Sequence, residues 1–87
     1  MWLLRLYVSH DDNVSGEALI AVNEVFEKHR LSGCKLQVVD INSQREIAAR
    51  DGVKRAPALI KVDPPPMRVI VPKRWDGVSV AAELELD

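Results

Sequence analysis

The sequence predicts one α/β domain built as strand, helix, strand, helix, strand, strand, helix around a mixed sheet. Three observations carry this. Residues 55–71 hold two short stretches of period two on either side of Pro64, Pro65 and Pro66. Ala58, Ile60 and Val62 alternate with Leu59, Lys61 and Asp63 before the prolines; Met67, Val69 and Val71 alternate with Arg68 and Ile70 after them. Period two is the strand signal, and prolines without an N–H interrupt a ladder, so the two pair most easily as an antiparallel hairpin. The chain also opens strand–helix–strand, which implies a parallel pair with a right-handed crossover. Finally, 87 residues suffice for one modest core, and so for a single domain over residues 1–87.

Residues 2–8 are apolar apart from Arg5. Leu4, Leu6 and Val8 face one way, and Leu3, Arg5 and Tyr7 the other, which suits the middle of a covered sheet. Residues 9–13 form a polar loop. Ser15 is the expected N-cap of the first helix, with Glu17 in its first turn. Ala18, Leu19, Val22, Val25, Phe26 and His29 recur at helical steps through about Arg30, and Gly33 stops the helix. Residues 34–41 form the second strand. Asn42 or Ser43 is expected to cap a short second helix through Arg50, with Ile47 and Ala48 as its apolar side and Asp51-Gly52 as its end. Pro57 sits just ahead of the third strand, where a missing N–H does least harm.

The tail, residues 76–87, carries two patterns. Val78, Val80, Ala82, Leu84 and Leu86 alternate as in a strand. Alanine and glutamate favour helix. The helix is expected, because a hairpin at the sheet edge leaves a face that needs cover.

Hydrophobic residues make up 47% and charged residues 29%, with a net charge of −1. That balance is that of a soluble domain, and it gives no electrostatic case for nucleic acid or an anionic membrane. No apolar run approaches the roughly 20 residues that span a bilayer. One cysteine, Cys34, excludes an internal disulfide and fits a reducing compartment, so a cytoplasmic protein is expected.

The chemistry-bearing residues each have a plain reading. Cys34 reads as a small packing residue, with a reactive thiol as the rival. His10, Asp11 and Asp12 read as a solvated loop, because adjacent residues seldom converge on one metal ion. His29 suits a half-buried helix end. Trp2 covers the end of the sheet; Trp75 either caps the core or anchors an interface. Arg45, Arg50, Lys54 and Arg55 gather along the second helix and the loop to Pro57, as a solvated face or as a basic docking surface for an acidic loop. Neither cofactor nor metal is implied. A homo-oligomer would bury further surface, but nothing specifies its symmetry.

This order resembles a thioredoxin-like domain, and more narrowly the KaiB family of circadian-clock proteins and the related sensory domain of the clock histidine kinase SasA. The residues that carry it are Leu6-Tyr7-Val8 with the polar loop and Ser15 ahead of Ala18-Leu19, then Val39-Asp40-Ile41, Ala56-Pro57-Ala58-Leu59, Lys61-Val62, and Pro64-Pro65-Pro66 followed by Arg68 and Ile70. The match is collinear over residues 3–71, and the proline triplet is its most specific part.

The resemblance implies a thioredoxin-like βαβαββα chain with a mixed four-stranded sheet and a proline-interrupted C-terminal hairpin, and a cis-proline at Pro57. It implies no enzyme: the loop after the first strand, where thioredoxins carry Cys-x-x-Cys, holds no cysteine, and dithiol chemistry needs two. It implies a protein-binding module of timing or stress regulation that docks on a KaiC-like ATPase, a KaiA-like protein or a signalling histidine kinase. The family is known for a second, ground-state fold, which the two-way tail would suit. In a thioredoxin-like sheet the second strand lies at an edge. Lys35, Gln37 and Val39 are therefore candidate docking residues by strand addition, although Lys35 and Gln37 equally suit an edge that discourages unwanted pairing; beside them stand Arg45, Arg50, Lys54, Arg55 and Pro57. Rival readings are an enzyme using the single thiol of Cys34, and a sensory domain from a longer kinase.

Overall fold

The computed structural model describes residues 2–29 and 33–86. Strand β1 is Leu3–Val8, helix α1 Asn13–His29, strand β2 Lys35–Asp40, helix α2 Arg45–Arg50, strand β3 Ala58–Asp63, strand β4 Arg68–Ile70 and helix α3 Gly77–Glu83. The sheet order is β2-β1-β3-β4. β1 runs parallel to β2 and antiparallel to β3, and β3 runs antiparallel to β4. The expected order of elements, including the helical tail, is the observed one.

The pleat divides the apolar residues between two cores. Leu4 and Leu6 of β1, Leu59 of β3 and Ile70 of β4 face α1 and α3, where they meet Ala18, Val22, Val25, Val80 and Leu84. Tyr7, Ala58 and Ile60 face the other way, and pack with Val39, Ala48 and Val53 beneath α2. β1 and β3 are thus buried on both sides, as residues 2–8 suggested.

Three local expectations change. Helix α1 starts at Asn13, so Ser15 lies inside it and is buried. The cap is Asp12, whose carboxylate accepts the Val14 amide at 2.9 Å; Asp caps as well as Ser. Glu17 consequently falls outside the first turn, and the Ser15 hydroxyl accepts the Ser9 amide at 2.9 Å, which ties the preceding loop to the helix. Neither Asn42 nor Ser43 caps α2. Gln44 stands at that position without a side-chain bond, and Asp40 builds the turn instead: its carboxylate accepts the Asn42 amide, and its carbonyl the Ser43 and Gln44 amides. β4 is shorter than residues 67–71. The expected continuation of α1 to Arg30 lies outside the described residues.

Asp51 closes α2, and Gly52 follows at φ +75°. The Ala56–Pro57, Asp63–Pro64 and Pro65–Pro66 bonds are cis. Asp76 caps α3 by accepting the Ser79 amide at 2.7 Å, and that interaction holds its carboxyl below the usual range.

Candidate docking surfaces

The outer edge of β2 follows from the hydrogen-bond parity of the sheet. The Lys35 amide donates to the Trp2 carbonyl and the Ile41 amide to the Val8 carbonyl, both at 2.9 Å. In a parallel ladder, a residue sends both backbone groups to the same neighbour, and alternate residues face opposite edges. Lys35, Gln37 and Val39 therefore spend their backbone groups on β1. Leu36 and Val38 present theirs outward, and Val38 is half exposed. This corrects the candidate residues at this edge. Val39 is 8% exposed, packed in the core beneath α2, and cannot meet a partner through its side chain. Lys35 and Gln37 remain exposed, on the α2 side of the sheet.

The basic residues divide. Arg45, Lys54 and Arg55 are exposed and line one open cleft of about 450 Å³, together with Ser9, Asp12 and Asn42. None of the three cations has a carboxylate within 4 Å among the described residues. The cleft lies beyond the carboxyl ends of β1 and β2, the usual place for recognition in an open α/β sheet. Arg50 is exposed at the far end of α2 and does not line it, and neither does the half-buried Pro57.

Beneath this surface lies a network that the residue pattern did not suggest. Arg5 Nη1 donates to Asp51 Oδ2 at 2.6 Å, the Tyr7 hydroxyl donates to the same oxygen at 2.6 Å, and Arg5 Nε donates to Gln37 Oε1 at 3.0 Å. The Asp51 side chain is 8% exposed. Burial acts to raise its carboxyl, but the Tyr7 hydroxyl and the Arg5 guanidinium outweigh burial and hold it below the usual range. Burial, and then the bond to Asp51, push the Tyr7 hydroxyl up to about 12. The end of α2 is thereby fastened to β1, and through Gln37 to β2. Arg5, within an otherwise apolar strand, was the one sequence signal that a buried anion should exist.

His10 is exposed, with Nδ1 3.2 Å from Asp40 and Nε2 3.5 Å from Asp11, and among the described residues no three ligands gather for a metal ion. Trp75 is half-buried against the α1–α3 core, and so is Trp2. Cys34 is half-buried against the same core, and desolvation raises its thiol. A raised thiol is a poor nucleophile at neutral pH. Titration of the native protein with a thiol-reactive dye at pH 7 is expected to run slower than that of the urea-unfolded chain. Equal rates would revive a reactive Cys34.

A mixed four-stranded sheet with β1 and β3 central, helices on both faces and no dithiol after β1 defines a thioredoxin-like domain without thioredoxin chemistry. The KaiB domain family model matches residues 5–80, and the chain belongs to the KaiB family. It is 32% identical over 85 residues to the circadian clock oscillator protein KaiB of Prochlorococcus marinus strain MIT 9312, covering 98% of this chain and 81% of that protein. It is 34% identical to the KaiB of Thermosynechococcus vestitus, covering 98% and 79%. Among solved structures, the N-terminal domain of Synechococcus elongatus SasA superposes with a TM-score of 0.75 at 20% identity, over 99% of this chain and 85% of that one. A malarial protein superposes at 0.79 with 11% identity, over 98% and 94%. At such identities the two structures speak for the fold alone. Among the described residues, no helix is long and apolar enough to cross a membrane.

Proposed function

We propose that this chain is a non-enzymatic docking module of KaiB type, working in the cytoplasm in timing or stress regulation. It seats an acidic loop of a KaiC-like ATPase or of a signalling histidine kinase in the cleft of Arg45, Lys54 and Arg55. The observation that carries this is the convergence on one cleft of three exposed cations, none with a carboxylate within 4 Å among the described residues. Charges so placed steer encounter and reject basic partners. The β2 edge, through Leu36 and Val38, is the second surface, suited to strand addition by a KaiA-like protein.

Sedimentation of the protein with a purified KaiC-like ATPase, and separately with a kinase sensory domain, tests this. One of the two is expected to form a complex that weakens as salt rises. Reversing Arg45, Lys54 and Arg55 to glutamate is expected to weaken it at least about tenfold, with an unchanged circular dichroism spectrum. A complex indifferent to the triple reversal would move the seat elsewhere. No complex with either partner would end the proposal.

A further inference from the structure

We propose that the open edge of β4 is a further docking surface, which takes an extended peptide of alternating apolar residues with one carboxylate opposite Arg68. It is independent of the basic cleft and lies at the other edge of the sheet from β2.

The backbone parity can be followed across the sheet. The Trp2 and Val8 carbonyls accept from β2, so Leu4 and Leu6 face β2 as well, and Arg5 and Tyr7 face β3. Arg5 stands opposite Ile60, which assigns the backbone groups of Ile60 to β1 and those of Leu59 and Lys61 to β4. There they meet Ile70 and Arg68. Val69, between these two, sends its N–H and C=O outward. The same alternation favours Met67 and Val71, which flank the strand. Met67, Val69 and Val71 are also 52%, 49% and 64% exposed. One edge thus offers outward backbone groups and exposed apolar side chains from the same residues, which is what strand addition uses.

Charge selects the occupant. Lys61 and Arg68 face each other directly across β3 and β4, and like charges so placed are destabilising. The Lys61 ammonium lies 5.9 Å from the centre of the Trp2 ring. Among the described residues no carboxylate comes within 4 Å of either cation. A second copy of this chain, paired antiparallel about Val69, would set Ile70 against Arg68 and leave the two cations uncompensated. A peptide with an acid at that position compensates them, and lays its alternate apolar side chains along Met67, Val69 and Val71.

The test uses two fluorescein-labelled peptides, each with valines at alternate positions and either glutamate or lysine at the position opposite Arg68. The glutamate peptide is expected to bind about tenfold tighter than the lysine peptide. Arg68→Glu is expected to reverse the order, and Arg68→Gln, the milder change for folding, to abolish the preference. In amide NMR the largest shift is expected at Val69, with Leu36 and Val38 unmoved. Equal affinities, no binding at the highest soluble peptide concentration, or shifts confined to β2 would each overturn the proposal. So would sedimentation showing a dimer that Val69→Lys dissolves, which would give the edge to a second copy.

Discussion

Replacing Leu59 by alanine is expected to cost about 3 kcal/mol, the middle of the range for a buried leucine whose site collapses incompletely. Leu59 is 0% exposed. It stands on the central strand β3, between Leu6 of β1 and Ile70 of β4, with α1 and α3 closing over it. Those neighbours belong to a rigid sheet on one side and two capped or long helices on the other, so little can move in to fill the space. A domain of this size has about 5–10 kcal/mol in all, and a loss of about 3 kcal/mol lowers Tm by about 15 °C. Thermal unfolding followed by circular dichroism reads this directly. Val69→Ala, on a half-exposed side chain of the next strand, is expected to stay within about 0.5 kcal/mol. Were Leu59→Ala equally mild, the core on the α1–α3 face would be far looser than its burial implies.

The same contrast shows what the sequence could and could not specify. Strand β1 was legible because apolar residues occupy both parities, a pattern that suits a covered central strand, and β3 was legible from its period of two. Helix α1 was legible from its stripe, although its start was not, since Asp12 and Ser15 are both competent caps. The tail held two self-consistent patterns. Helix won through Val80, Ala81 and Leu84, which are buried at helical spacing while Val78 stays 78% exposed; a strand would have buried Val78 with Val80. The cluster of cations was legible as composition, but not the separation of Arg50 from the cleft, which depends on how six residues of α2 turn. Edge parity was not legible either. Whether Val38 or Val39 faces outward is fixed by the register of β2 on β1, and a one-residue slip exchanges them. Least legible was Asp51: it meets Arg5 across 46 residues of sequence, and its neighbour Gly52 made it look like a turn residue and nothing more.

That hidden carboxylate gives the second large effect. Asp51→Asn is expected to destabilise the protein by about 3 kcal/mol, the lower end for breaking a buried ion pair, because Arg5 keeps some contact with water. Tyr7→Phe is expected to lose about 1.5 kcal/mol, one hydrogen bond to a charged acceptor. The pH dependence carries the signature. The Asp51 carboxyl is held below its ordinary value in the folded chain, so its contribution is complete above the unfolded value of about 4 and is lost as pH falls through the folded one. The Tyr7 hydroxyl is pushed up to about 12, so its contribution is complete below the unfolded value of about 10 and is lost as pH rises towards the folded one. The stability gap between the native protein and Asp51→Asn is therefore expected to be flat through neutral pH and to narrow in acid. The native protein is expected to weaken above about pH 10, and Tyr7→Phe to lose that alkaline decline. Urea unfolding across the pH range measures both limbs. A gap that stayed constant down to about pH 2 would mean that Asp51 titrates alike in the folded and unfolded chain. The fastening of α2 to the sheet, and of Gln37 at the docking edge through Arg5, would then owe nothing to its charge.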